Sequence, residues 1–271
     1  MIKDITIGQY FPGKSFIHRL DARTKLILVL ALLVIIFLCQ NFFSLALIFV
    51  FSLFCVLLSR IPLKTMMKGL KAIVFVVILT AILQIFYNES GDILWQWRAV
   101  KITTGGVSMA IFIAVRIVCL IFISSLLTYT TSPTLLTDGI ERLLKPLRVF
   151  HLEPHTLAMM MTIALRFIPT LIEEVDHIMS AQKARGADME TGNVIKRAKA
   201  LIPILIPLFV NSFRRAYDLA YAMECRCYRG GDGRTRMRVM KFSWRDGVAF
   251  VISAALLAGV ILLNHFFEAV L

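Results

Sequence analysis

Long uncharged runs separated by short charged breaks dominate the chain. Residues 26–59 carry no charge at all. As one helix they would reach about 51 Å, well beyond a hydrocarbon core of roughly 30 Å. The polar step Gln40-Asn41 near the middle predicts a hairpin turn, giving two short spans over about 25–39 and 43–59. Arg60, Lys64, Lys68 and Lys71 follow, with Pro62 as a breaker, and then the apolar run 72–87. The next span is predicted over about 106–130, with Arg116 at its centre, and a last one over 247–267. The pattern therefore predicts five spans.

Residues 131–245 follow a different rhythm. TSPTLLTDGIERLLKPL (131–147) reads as an amphipathic helix, with Leu135, Leu136, Ile140, Leu143 and Leu144 against Asp138, Glu141 and Arg142. Pro146 ends it. Two long helical patterns follow, about 154–186 and 193–229, each apolar first, then charged, then closed by glycine at Gly186 and Gly230-Gly231. Their apolar stretches are short and contain Pro169, Pro203 and Pro207, so neither is expected to be a full span. Three units result: residues 1–130 with the N-terminal tail and four spans, 131–245 as a cytoplasmic region, and 246–271 as the last span. The expected fold is an all-α polytopic membrane protein, about five transmembrane helices plus one short and two long crossing helices.

Composition agrees with this division. Of 271 residues 58% are hydrophobic, and the formal net charge is +13, with a mean hydropathy of +0.78. That balance belongs to the bilayer, and in a membrane protein Lys and Arg gather in cytoplasmic loops. Residues 183–245 alone hold 14 Lys+Arg against five acids, most of the net charge. The positive-inside rule places the N-terminus in the cytoplasm and the C-terminus outside, in the cell membrane. No apolar core with a small-residue cleavage site opens the chain, so no cleaved signal is expected. Cys39, Cys55 and Cys119 sit in apolar runs, where a thiol packs as a small hydrophobe. The basic tract GDGRTRMRVMKFSWR is suited to anionic lipid at the membrane surface.

Candidate chemistry is sparse. No phosphate loop, Ser/His/Asp set or zincin pattern occurs, so the chain is read as non-catalytic, without cofactor or nucleic-acid partner. Cys225-x-Cys227 is at most half a zinc site, since His151, His155 and His177 are not spaced to complete it. Arg116 and Arg166 fall inside apolar stretches, and the simpler reading pairs them with an acid such as Asp138, Glu173 or Glu174 or lets them reach the headgroups. The two long helices end in KARGAD (183–188) and ECRCYRGG (224–231). An arginine in a last turn complements the helix dipole. Two such arginines with small neighbours also form paired forks for a carboxylate-bearing partner.

KARGAD after ALRFIPTLIEEVDHIMSAQ, and FRRAYDLAYAMECRCYRGGDGRTR, resemble the two arginine motifs of EcfT, the transmembrane coupling subunit of energy-coupling factor (ECF) vitamin importers. GQYFPGKSFIHRLDARTK (Gly8, Tyr10, Pro12, Gly13, Ser15, His18, Leu20, Asp21, Arg23, Lys25) matches that family's opening, and LLTYTTSPTLLTDGIERLLKPL its central region. The resemblance implies a coupling subunit of an ECF-type ABC importer. Its partners would be two cytoplasmic ABC ATPases (EcfA and EcfA' type) and a substrate-binding membrane S subunit that carries a vitamin or micronutrient. It implies ATPase-coupling residues at Ala184, Arg185, Gly186, Cys225, Arg226 and Cys227. The family has Ala-Arg-Gly at both tips, whereas the second here is Cys225-Arg226-Cys227, so Gly230-Gly231 is expected to take over the cap. A dedicated cobalt, nickel or biotin importer is the main alternative, and a membrane-embedded lipid-modifying enzyme a further one.

Overall fold

The computed structural model describes residues 10–87, 92–97, 100–150, 153–187, 193–230, 235 and 240–267. Gly8, Glu89, Arg98, His151, Asp188, Glu190, residues 231–234 and 236–238, and Glu268 lie outside the described residues. The chain divides into two compact units, one of residues 8–139 with 240–271, the other centred on 140–239.

The first unit is a helical bundle. Helix α1 (Ala22–Leu38) starts at Asp21, whose carboxylate accepts from the Arg23 N–H. Gln40-Asn41 is the predicted turn, and Asn41 caps α2 (Phe42–Ser59) by accepting from the Ser44 N–H. At 17 residues α1 reaches about 26 Å, short for a span as expected. Helix α3 (Leu63–Tyr87) bends by 57° between Leu63–Lys71 and Ile73–Tyr87. Helix α4 (Thr104–Thr130) and a C-terminal helix, Trp244–Phe266, complete the bundle. Ile35, Ile36, Leu45, Ile48, Phe112, Leu256 and Val260 form its main core, and Val56, Met66, Phe122 and Tyr129 a second.

The stretch 88–105, with its balanced charges, predicts a plain loop between two spans. It contains an antiparallel hairpin of β1 (Ile93–Trp97) and β2 (Val100–Thr103). The alternation Ile93, Trp95, Trp97 and Val100, Ile102 favours a pleated surface and was legible as such.

After the amphipathic α5 (Pro133–Leu144) and a 3-10 turn at Lys145–Phe150, the second unit is built on α6 (Pro154–Ala184) and α7 (Val194–Cys225). The C-terminal helix above is therefore α8. Pro169, Pro203 and Pro207 sit inside continuous helices and do not break them. One expectation changes as a result. By length and composition α6 is apolar enough to cross a membrane, as are α2, α4 and α8, with α3 a fifth if its bent halves make one span. The five helices of the predicted spans are all present, but α1 is the short one and α6 qualifies in addition.

Candidate functional site: the ends of two paired long helices

Helices α6 and α7 are clasped at one acid. Glu174 accepts 2.8 Å from the Asn211 side chain and 2.6 Å from Arg215 Nη2. Both partners lie on α7, one helical turn apart, so one carboxylate holds two successive rungs. Arg185 lies eleven residues beyond Glu174, and Arg226 eleven beyond Arg215. Each helix therefore runs about 16 Å from the clasp to its arginine. The sequence reading offered Glu174 to Arg166. Instead Arg166 is exposed and holds no ion pair among the described residues.

The two helix ends share one backbone geometry. At the α6 end the Ala187 N–H donates to the Gln182 carbonyl and the Gly186 N–H to Lys183. At the α7 end the Tyr228 N–H donates to Met223 and the Cys227 N–H to Glu224. Both are Schellman caps, with Arg185 and Arg226 at the equivalent capping position. The left-handed residue is Gly186 at φ +85° in one and Cys227 at φ +56° in the other. Gly230 is also left-handed, but lies outside the cap. The expectation that Gly230-Gly231 would take over is therefore corrected: Cys227 adopts the glycine conformation itself, and α7 ends at Cys225 rather than at 229. Ala184, Arg185, Gly186, Cys225, Arg226 and Cys227 are all exposed. Neither arginine has an ion-pair partner among the described residues. No group of three or more His, Cys, Asp or Glu is placed to hold a metal among them either.

The opening motif GQYFPGKSFIHRLDARTK serves a different end, which sequence reasoning did not find. Its residues tie helix termini of the first unit together. The Phe11 N–H donates to the Tyr129 carbonyl at 2.9 Å, and Lys25 Nζ to the Thr130 carbonyl at 2.9 Å and Thr131 Oγ1 at 3.2 Å. The Asp21 N–H donates to Asp246 Oδ1 at 2.9 Å, while Asp246 Oδ2 accepts from the Ser243 N–H at 2.7 Å. Arg23 pairs with Asp21 and stacks on Phe242. His18 sits between Ser15 and the Phe11 carbonyl. Its pKa is lowered by burial and by the nearby Lys25 charge, against the raising effect of the Phe11 bond.

Arg116 also turns out to be structural, without the acid partner expected for it. Its guanidinium donates 2.6 Å to the Cys39 carbonyl at the end of α1 and lies over the Phe112 ring. At the same end of the bundle Asn41 donates to the Leu263 and Phe267 carbonyls, and Asn264 to Leu38.

A multi-pass helical membrane protein with a separate pair of long helices, each ending in an exposed arginine, is the class these features define. The CbiQ family, described as cobalt transport protein, matches residues 13–237. Relatives along nearly the whole chain carry the name energy-coupling factor transporter transmembrane protein EcfT. That of Clostridium kluyveri is 54% identical over 94% of this chain and 95% of its own. That of Ruminiclostridium cellulolyticum is 49% identical over 98% of this chain and all of its own length, and that of Bacillus subtilis 47% identical over 95% and 98%. The chain belongs to the CbiQ family, within its EcfT-type transmembrane proteins.

Proposed function

We propose that this chain is the energy-coupling subunit of an ECF-type ABC importer, and that it transmits ATP-driven motion without catalysing anything itself. The observation that carries the reading is the matched pair of arginine caps, held at equal distance from the Glu174 clasp. A guanidinium is a rigid fork suited to a carboxylate groove. Two cytoplasmic ATPases of the EcfA and EcfA' type each take one tip, Ala184-Arg185-Gly186 in one and Cys225-Arg226-Cys227 in the other. When ATP draws the ATPases together the tips move with them, and α6 turns against α7 about the clasp. The altered membrane surface reorients a substrate-binding S subunit, which releases a vitamin or other micronutrient inside. Residues 131–245 form the coupling region, and 1–130 and 246–271 anchor it. The N-terminus then lies in the cytoplasm and the C-terminus outside, in line with the Lys and Arg distribution.

The test is the Arg185→Ala, Arg226→Ala double variant. Removing one member of a buried charged contact costs about 2–5 kcal/mol, so losing both abolishes ATPase co-purification while membrane insertion persists. Undiminished co-purification and uptake would refute the proposal. The cobalt transport description of the family favours a second reading, a coupling subunit dedicated to one metal importer. A single substrate-binding gene beside this one would support it, and several scattered ones a shared module.

A further inference from the structure

At one end of the bundle α1, α2, α4 and α8 enclose a crevice of about 280 Å³. The lining is almost wholly apolar, with Leu28, Leu32, Phe54, Ile123, Leu127 and Ile252 among the walls, and the N-terminal turn at Phe16 and Ile17 closes one side. Lys25 and Thr130 border it, but their polar atoms are engaged: Lys25 on the Thr130 carbonyl, the Thr130 hydroxyl on the Leu126 carbonyl. The crevice thus offers an occupant no oriented polar contact inside.

Its size and surroundings define the occupant. Small-molecule sites begin at about 300 Å³ and carry a few placed polar groups, which this one lacks. A segment of hydrocarbon chain is slender and needs no polar contact, so it suits such a lining. An unfilled apolar void forfeits dispersion contacts along its lining, and the medium around the bundle consists of such chains.

The rim adds charge. The crevice is formed by the start of α1, the end of α2, the end of α4 and the start of α8, so it lies toward the side where the basic residues collect. Arg19 adjoins Leu20 of the lining, Arg60 follows Leu58 by two residues, and Arg245 precedes Ala249 by one helical turn. None of the three has an ion pair among the described residues. The acids nearest in sequence, Asp21 and Asp246, are spent on backbone N–H groups and on Arg23. The rim is therefore cationic.

We propose that this crevice is a phospholipid site, taking part of one acyl chain between the four helices while the rim arginines hold an anionic headgroup. This site is independent of the coupling role. The test uses the full chain with its co-purifying partners, reconstituted in bilayers of equal phosphatidylglycerol and phosphatidylcholine and released for native mass spectrometry. One phospholipid per chain stays bound through detergent exchange, with phosphatidylglycerol enriched. The Arg19→Gln, Arg60→Gln variant reduces that enrichment about fivefold for each charge removed. Ile252→Trp, which fills the crevice from its rim, lowers retention at least fivefold at an unchanged melting midpoint. Leu58→Trp on the opposite wall reads the same quantity should Ile252→Trp not fold. Lipid retention insensitive to both fillings, no retained lipid, or a protein segment cross-linked into the crevice through Leu58→Cys would overturn the proposal.

Discussion

Exchanging the left-handed residues of the two caps separates backbone geometry from side-chain chemistry at the helix tips. Gly186 and Cys227 occupy the same place in the same hydrogen-bond pattern, at φ +85° and +56°. A side chain there costs about 1–2 kcal/mol through the contact of Cβ with the backbone. Glycine gives back about 0.5–1 kcal/mol, because its unfolded chain has more freedom to lose. The net preference for glycine is then about 0.5–1 kcal/mol. No clash adds to it at the α6 end, since a Cβ built on Gly186 meets nothing within 4 Å. Gly186→Cys therefore loosens the last turn of α6, and Cys227→Gly tightens that of α7. Hydrogen exchange reads the effect directly, because these caps open locally without unfolding the helix. The Gly186 and Ala187 amides exchange about two- to fivefold faster in Gly186→Cys, and the Cys227 and Tyr228 amides slower by the same factor in Cys227→Gly. Gly186→Ala reproduces the first result without sulfur. Unchanged exchange in both variants, or slower exchange in Gly186→Cys, would refute the reasoning.

Three further perturbations bear on the contacts that hold each unit. Asp246→Ala leaves the Asp21 and Ser243 N–H groups without their acceptor at a 2%-exposed site, and hydrogen bonds to charge are worth about 1.5–3 kcal/mol. A fall of several degrees in the melting midpoint of the detergent-solubilised chain is expected, with Asp246→Asn falling less. Glu174→Gln keeps an acceptor for Asn211 and loses the charge pair with Arg215. The pair is only partly buried, so stability falls by no more than about 1 kcal/mol, whereas the ratio of uptake to ATP hydrolysis in the assembled importer drops clearly. His18 has a folded pKa below its unfolded value, so its stabilising contribution is full above about pH 6.5 and is lost as pH falls through the folded pKa. Limited proteolysis near residues 10–20 is expected to accelerate on acidification, and His18→Gln to remove that dependence.

Much of the bundle was legible because its cause is local. An uncharged run too long for one span, divided by Gln40-Asn41, has few solutions, and Asn41 caps α2 as such a residue should. The positions of Arg185 and Arg226 were legible for the same reason, each coming after a long helical pattern with small residues beside it. The Cys227 conformation was not, because a non-glycine residue at positive φ contradicts propensity and is decided by the whole cap. Proline was over-read in α6: the cost of one missing helical hydrogen bond is outweighed when the helix is long and packed, whereas α7 is not apolar enough to be a span, as expected. Nor could the partners of Arg116 and Lys25 be found by seeking acids. Both end on backbone carbonyls of helices remote in sequence, a pairing that leaves no mark in composition.

The use made of polar side chains distinguishes the two units. In the first, helix ends are closed by side chains from elsewhere in the fold: Arg116 at the end of α1, Lys25 at the end of α4, Asn41 at the end of α8, and Asp246 at the turn before α1. A buried polar group used in this way is satisfied and has little capacity for another partner. The ends of α6 and α7 are closed by their own backbone, through the Schellman bonds, and the arginines at those ends are not needed for the closure. Arg185 and Arg226 remain exposed with their donors uncommitted among the described residues. The dipole of a helix C-terminus accounts for a cation in the last turn at about 0.3–1 kcal/mol, and lysine would serve equally. It does not account for arginine twice, at equal distance from a shared clasp. Replacing both by lysine would keep the charge at each helix end and remove only the planar fork. A partner that reads the fork would dissociate from that variant, while the helices would keep their stability.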